Sequence, residues 1–483
     1  MPYEGQVQIP RPKWWTPRIR YVVTVLGMVG CSVDYLVRYG LSVAIVAMVN
    51  NTNANATMTA EESCPAAIVQ DLNNDTDTST SEEQFNWSGY EQSVILGTFF
   101  WGYFMTKSSG GRISELFGAR EVMAVSLFSS GILSMMCPFM AHVHPLALAG
   151  VRFCMGLVQG PAFPALYFVI AKWAPPDELA TMVTVAYSGM SVGSLIALGG
   201  SGYIVSELGW QWVFYGGGIL AILWTPLWLF FVTNDPQQHP YISKYEQDLL
   251  LINESIQPKH SVPWRKLITC WRYYPSILGE VATSWLANIT TTEGPTFLTA
   301  KFGMNMNQVS RVLTMMQVGS WIGAFTFGRI SDYLNKYLLS KLNTRRAIHS
   351  QVRPEKSTIL ITMGTLGIVL SGCNSLAVSA MMVILTIGSS CSLSTYTLSP
   401  MDIAPNYAGT LSGLLGIGNI SGFVAPVVTN ALILQSGSWT SSVLLAGGVY
   451  LCSGILYVML TTTEIQDWNY YEEIPSSDVE SGR

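Results

Sequence analysis

The sequence predicts an all-α membrane protein: twelve transmembrane helices in two six-helix pseudo-repeats. Three observations carry this. First, of 483 residues 49% are hydrophobic and only 11% are charged, where a soluble domain carries about 25% charged residues; the mean hydropathy is +0.33. Second, the apolar residues gather in runs of about 20, the length that crosses about 30 Å of hydrocarbon as helix. Third, Gly111-Arg112-Ile113-Ser114-Glu115 recurs as Gly328-Arg329-Ile330-Ser331-Asp332. Each copy follows an apolar run with a Trp-Gly step (Trp101-Gly102; Trp321-Ile322-Gly323) and precedes basic residues (Arg120; Arg345 and Arg346). Self-similarity at about half the chain length signals paired helical bundles, and in such chains the substrate site lies between the halves.

The spans fall at 19–49, 90–109, 122–140, 145–171, 181–204 and 212–232, then at 274–300, 309–331, 357–373, 376–398, 408–434 and 438–461. The first and fourth exceed one crossing, which tilt or extension past the bilayer accommodates. The first is also too long for a signal peptide. The organisation is therefore an N-terminal tail (1–18), a six-helix half (19–232), a central loop (233–273), a second half (274–461) and an acidic tail (462–483). Lys and Arg alternate by loop. Arg11, Lys13, Arg18 and Arg20 precede the first span, and Lys244, Lys259, Arg265, Lys266 and Arg272 lie in the central loop. Segment 332–356 carries six more, whereas 50–89 has none. The positive-inside rule places both termini and the central loop in the cytoplasm.

Loop 50–89 then faces the outside or a lumen. Its Asn, Thr, Ser, Asp and Glu content reads as flexible, and it holds acceptor sequons at Asn50, Asn55, Asn74 and Asn86. Asn55 and Asn74 are the expected glycosylation sites; Asn50 and Asn86 lie close to the membrane. The eight cysteines are scattered and no CxxC occurs, so neither a disulfide framework nor a metal site is expected, and Cys64 reads as a free thiol. In the central loop, 241–256 reads as an amphipathic helix starting near Ser243, with Glu246 completing a capping box. Glu246 with Leu250-Leu251 also fits an acidic dileucine signal; an apolar face packed on the bundle is the simpler reading.

Charge inside a bilayer is costly and marks function by default. Asp34 and Arg38 lie four apart on one face of the first span and can pair. Two readings stand: a structural ion pair, or an arginine fork that meets an anionic substrate while Asp34 holds it between substrates. Arg152, near the outer end of the fourth span, either marks the interface or lines an access path. In the seventh span, Glu280 lies near the cytoplasmic end, where water can solvate it. Glu293 precedes the helix break Gly294-Pro295 and reads either as a gate or cation site or as outer-surface exposure. Glu115, Arg120 and Asp332 lie at cytoplasmic helix ends, where acid and base can bridge neighbouring helices and hold that side shut. The Gly-rich stretches 189–202 and 409–422 permit close helix approach. All five histidines fall in loops, and neither HExxH nor a Walker A motif is present. No enzyme activity, cofactor or nucleic-acid partner is expected.

Further stretches carry a resemblance. They are Arg38 with Leu41-Ser42-Val43-Ala44-Ile45-Val46-Ala47-Met48-Val49-Asn50; Ile95-Leu96-Gly97-Thr98-Phe99-Phe100-Trp101-Gly102-Tyr103; and Phe163-Pro164-Ala165 with Lys172-Trp173-Ala174-Pro175-Pro176. Gly209-Trp210, His239-Pro240-Tyr241-Ile242-Ser243, Asp402-Ile403-Ala404-Pro405, Tyr407-Ala408-Gly409-Thr410 and Glu464-Ile465-Gln466-Asp467-Trp468 extend it over nearly the whole chain. The chain resembles the major facilitator superfamily, and within it the anion transporters that include sialin, the vesicular glutamate transporters and the type I sodium-phosphate cotransporters. The resemblance implies anion handling by Arg38 and Arg152. It also exposes departures. The family's fourth-span pattern Glu-Gly-Leu-Gly-Glu-Gly is here Met155-Gly156-Leu157-Val158-Gln159-Gly160, so both acids are gone, including the one associated with proton coupling. Tyr167 stands for a sialin-like histidine, and Thr283 for the seventh-span arginine of the glutamate transporters.

The expected function is secondary active or facilitative transport of an organic or inorganic anion by alternating access. The alternative is a transporter-like receptor that binds without moving its ligand. Arg38, Arg152, Tyr103, Tyr167 and Gln159 are the expected substrate liners, and Asp34, Glu293, Glu115, Arg120 and Asp332 the coupling or gating residues. The substrate class spans acidic sugars, acidic amino acids, urate and phosphate, with H+ or Na+ as coupling ion. Because Gln159 and Met155 cannot titrate, weakly pH-dependent transport is expected. The membrane is lysosomal, vesicular or plasma. The topology is testable: glycosidase treatment should shift gel mobility, Asn55→Gln with Asn74→Gln should abolish most of that shift, and tags at either terminus should stay unstained on intact cells.

Overall fold

The computed structural model describes residues 18–49, 64, 85–107, 109–175, 178–254, 264–337, 357–390, parts of 396–415, 416–462 and 464–470. Loop positions Asn55 and Asn74 lie outside the described residues, as do the side chains of Glu115 and Asp332. The first half contains α1 (Ile19–Met48), α2 (Gly89–Lys107), the short α3 (Gly110–Phe117), α4 (Ala119–Val143), α5 (Pro145–Gln159) and α6 (Ala162–Trp173). It continues with α7 (Leu179–Leu195), a π-turn at Ile196–Gly200, α8 (Ser201–Leu208) and α9 (Gln211–Phe231). Two short helices, α10 (Lys244–Glu254) and α11 (Trp264–Ile268), lie in the central segment. The second half holds α12 (Tyr274–Thr291), α13 (Gly294–Phe302), α14 (Met306–Tyr337), α15 (Ser357–Leu370), α16 (Ser375–Ser389), α17 (Ser421–Ser436) and α18 (Trp439–Leu460).

Three spans are broken, each for a local reason. The fourth divides into α5 and α6 at Gly160-Pro161, the fifth widens into the π-turn, and the seventh divides into α12 and α13 before Pro295. Proline has no N–H to continue an i→i−4 ladder. Among the described residues, seven spans are long and apolar enough to cross a membrane, with shorter apolar helices at α15 and α16. Buried apolar residues form two main clusters. One runs from Ile19 to Leu250; the other lies almost wholly between Ala282 and Tyr450 but takes in Val43, Cys64 and Leu198.

One face of the bundle collects basic residues. There, Glu246 accepts from the backbone N–H of Ile19 (3.2 Å) and Arg20 (3.0 Å), two donors of the first turn of α1 that have no helical partner. Arg20 is 2% exposed and binds Glu178 through Nε (2.9 Å) and Nη2 (3.0 Å). The capping box expected at Ser243 is therefore half formed. The Ser243 hydroxyl accepts from Glu246 N–H (3.2 Å), but the Glu246 carboxylate caps α1 instead of its own helix. Leu250 is buried in the first core, as the packing reading of α10 requires. Arg120 joins α4 to α9: its guanidinium reaches the Leu229 carbonyl and Glu121, and Trp228 Nε1 donates to its own carbonyl (3.0 Å). These contacts stay inside the first half.

At the opposite face, Phe85 N–H donates to the Met48 carbonyl (2.7 Å), which draws together the ends of the long first loop. Cys64 forms a disulfide with Cys373 in the turn between α15 and α16, and its N–H donates to the Lys301 carbonyl (3.1 Å) at the end of α13. This corrects the expectation of a free Cys64; 309 residues separate the partners, so spacing carried no sign of the pairing. The halves meet near the disulfide face and again along α2, where Gly97 lies against Phe423, Gly422 against Phe100 and Gly416 against Lys107. Gly199 and Gly202 lie against Thr314 and Ser310 of α14, and Gly89 lies against Asn430 of α17.

Helices approach to backbone contact where glycine allows it. A Cβ at Gly189 or Gly193 of α7 would lie 2.0 Å from the Met28 carbonyl oxygen and 2.2 Å from that of Ser32, the close approach that the Gly-rich 189–202 stretch predicts. Between α2 and α5, a Cβ at Gly102 would lie 2.2 Å from Phe153 O, and one at Gly156 2.0 Å from Phe99 O. Backbone cannot yield as a side-chain tip can, so Gly102→Ala and Gly156→Ala should each destabilise the fold by about 1–3 kcal/mol, the range of overpacking, read as a lower thermal midpoint in detergent. Gly150→Ala on α5, with nothing within 4 Å, is the control and should not lower it.

Candidate anion site

The close packing of α1, α2 and α5 brings Arg38 and Arg152 together in the interior of the first half. Asp34 and Arg38 are 1% and 4% exposed, and Arg38 Nη2 lies 3.1 Å from Asp34 Oδ2. The i,i+4 spacing on α1 makes this pair possible. The guanidinium sits in an aromatic enclosure, with ring centroids of Tyr103 at 4.3 Å, Tyr35 at 4.6 Å, Phe99 at 5.0 Å and Phe163 at 5.9 Å. Desolvated cation–π contacts of this kind are worth about 2 kcal/mol each at best. They hold the fork in one plane without consuming its N–H donors.

Arg152 is 2% exposed. Its place is interior and not at the surface of the bundle: its Nη2 donates to the Arg38 carbonyl (2.9 Å), and its guanidinium lies 5.0 Å from the same Phe99 ring. Its Nη1 meets the Met155 sulfur at 4.0 Å, and that sulfur also faces Cys137 at 3.8 Å. Position 155 is where the resemblance leads one to expect an acid. A thioether there leaves Arg152 without a carboxylate.

Gln159 continues the face of α5 that carries Arg152 and Met155. It is fully buried, and neither its Oε1 nor its Nε2 has a hydrogen-bond partner. Asp34 Oδ1, Arg38 Nε and Arg152 Nε are likewise buried and unpartnered. Buried polar atoms are normally satisfied, so these orphans in one region mark a place where a polar ligand would complete the bonding. The site holds two buried guanidiniums against one carboxylate.

Of the liners expected from sequence, Arg38, Arg152 and Tyr103 meet directly, while Gln159 shares the α5 face. Tyr167 is half-buried on α6 and is not among the rings that face Arg38. Glu280 is half-buried and within electrostatic reach of Lys107 on α2. Glu293 is 6% exposed, so the expectation of outer-surface exposure is overturned. Sequence reasoning missed Tyr35, Phe99 and Phe163. Their signal was present: Tyr35 adjoins Asp34, Phe99 is one helical turn from Tyr103, and Phe163 opens one of the resembling motifs.

Three substitutions test the geometry. Arg38→Lys keeps the charge but loses the fork, and should lower anion affinity about ten- to hundred-fold, the worth of a charge-assisted hydrogen bond of about 1.5–3 kcal/mol. Asp34→Asn should cost less, and tighten anion binding if Arg38 is the receptor. Normal anion binding by a folded, membrane-inserted Arg38→Ala would reduce the pair to a structural role.

Comparison with known proteins places this arrangement. The model of the Major Facilitator Superfamily matches residues 27–426. Human sialin (Homo sapiens) is 28% identical over 458 residues, covering 93% of this chain and 90% of sialin. Vesicular glutamate transporter 3 of Danio rerio is 30% identical over 461 residues, covering 93% of this chain and 74% of that protein. Among solved structures, a bacterial homologue of the human lysosomal transporter Spinster, inward-facing and occupied, superimposes with a TM-score of 0.64 at 13% identity, covering 94% of this chain and 99% of that one. A D-xylose-proton symporter gives 0.62 at 14% identity, covering 93% and 99%. The chain therefore belongs to the Major Facilitator Superfamily.

Proposed function

We propose that this protein carries an organic or inorganic anion across a membrane by alternating access between its two halves, with Arg38 and Arg152 as the receptor. The observation that carries the reading is the charge count at the site: two buried guanidiniums, one carboxylate paired with Arg38, and Met155 beside Arg152, which has no carboxylate partner among the described residues. An uncompensated charge in a low-dielectric interior costs several kcal/mol, and a bound anion relieves that cost. The names of its relatives, sialin and vesicular glutamate transporters, put acidic sugars and acidic amino acids first among candidate substrates, with urate and phosphate behind them. Asp34 is the resting partner of Arg38, and Gln159 and Tyr103 supply polar contacts.

The basic face is the cytoplasmic one in this reading, with both termini on it, in a lysosomal, vesicular or plasma membrane. Glu115 and Asp332 occupy equivalent places in the two halves and gate that face, while Arg120 braces the first half beneath them. The non-transporting reading gains no support, since the relatives are named transporters. The test is uptake and counterflow by purified protein in vesicles, with a panel of sialic and hexuronic acids, acidic amino acids, urate and phosphate, with and without sodium. One anion should accumulate or exchange in wild type and fail in Arg38→Lys. Binding of an anion with no flux under any gradient would defeat transport.

A further inference from the structure

Of the carboxylates in the described spans, Asp34 pairs with Arg38 and Glu280 lies within reach of Lys107. Glu293 has no such partner. It sits in the two-residue gap between α12 and α13, where Pro295 offers no N–H to the Thr291 carbonyl. The N–H groups of Thr292 (2.9 Å) and Glu293 (3.2 Å) both turn back to the Asn288 carbonyl. The Glu293 side chain is 6% exposed and its Oε1 has no hydrogen-bond partner. The adjoining Gly294 lies against Met382 of α16, the Ile289 carbonyl of α12 and Leu313 of α14.

The elements packed around the gap bring few charges to it. From α1 comes Tyr39, which meets the Thr291 side chain and packs on the second core, with Arg38 and Asp34 farther along the helix. On α13, Lys301 lies near the far end. Arg311 of α14 is exposed and donates to the Asn307 carbonyl (3.4 Å). The sequences of α16, α17 and α18 contain no acidic or basic residue. Among the described residues, none forms an ion pair with Glu293.

A carboxylate that is 6% exposed, with Oε1 buried and unpartnered and no cation paired with it among the described residues, carries a desolvation penalty when ionised that the neutral acid avoids. The helix break also lies where α1 closes on the second half, on the side of the disulfide face. We propose that Glu293 is a proton-binding site that couples closure of the disulfide face to proton uptake. In the open state water enters the break and the carboxylate is ionised. On closure it takes one proton from water on that face, forming the O–H bond of the neutral acid, and on reopening to water the proton leaves. Titration thus passes to the seventh span, where Glu293 serves in place of any acid at positions 155 or 159, and transport acquires the pH dependence that the sequence argued against.

The inference rests on the alternating-access reading, and its test does not require substrate. Ser310, buried where α14 meets Gly202, is replaced by cysteine in the full chain in vesicles. Labelling by a membrane-impermeant maleimide, with the unsubstituted chain as background, reports opening of the disulfide face. Because the thiolate fraction alone changes the maleimide rate about tenfold per pH unit below the thiol pKa, each rate is divided by that of the same cysteine in the denatured chain at the same pH, and this normalised labelling should fall as the pH on that face falls, by up to about tenfold per pH unit for one linked proton. In Glu293→Gln it should be low and flat with pH. Glu293→Asp should keep a pH response with a displaced midpoint, and serves if the glutamine variant does not fold. Labelling that is insensitive to pH in the Ser310→Cys parent, or a parent-like response in Glu293→Gln, would overturn the proposal. Arg38→Lys should lose uptake yet keep the labelling response; if it keeps both, the anion site fails and the proton site stands.

Discussion

A positive charge in the membrane interior with too little negative charge beside it is the constraint on which this structure turns. Two arginines share one phenylalanine ring, the one carboxylate between them pairs with Arg38, and a methionine lies beside Arg152, whose partner is a backbone carbonyl. The surrounding rings reduce the cost without neutralising the charge. A folded state that tolerates this leaves its last interaction to be made by something that arrives. Recognition of an anion follows from that deficit more directly than from any single hydrogen bond.

Building the deficit requires helices closer together than ordinary side chains permit. Backbone contact between α2 and α5 at Gly102 and Gly156, and between α1 and α7 at Gly189 and Gly193, brings the Arg38 carbonyl within reach of Arg152. Helices in lipid gain little from apolar burial against one another, so van der Waals fit and close approach decide their association. Here packing sets the electrostatics: were α5 an ångström farther out, Arg152 would lose the carbonyl that fixes it.

Much of this was legible in the sequence because the bilayer makes strong demands. Apolar run lengths, the repeated Gly-Arg-Ile-Ser motif and the alternation of basic loops give the helix count and the pairing of halves. The i,i+4 spacing gives Asp34–Arg38, since both partners lie on one helix. The contact of Arg152 with the Arg38 carbonyl was not legible, because its partner on α1 lies more than a hundred residues away and no local pattern records it. Glu246 was misassigned for the same reason: its own helix offered a cap, and the first turn of α1 offered two donors. The burial of Glu293 was hidden because a proline break can face water or core equally well. Cys64 with Cys373 is the extreme case, a contact that exists only once both halves are assembled.

That last bond changes what kind of object the chain is. A two-half bundle joined only through its central segment is a hinged pair, and a nick there would leave two pieces held by packing alone. With Cys64 bound to Cys373, the backbone from residue 64 through the central segment to residue 373 becomes a closed ring. The halves are fastened at both ends of the molecule, by peptide at the basic face and by sulfur at the other. Any rocking of one half against the other must keep both fastenings. The ring cannot close until the hairpin of α15 and α16 has been made, so the bond belongs to a late stage in the life of the chain.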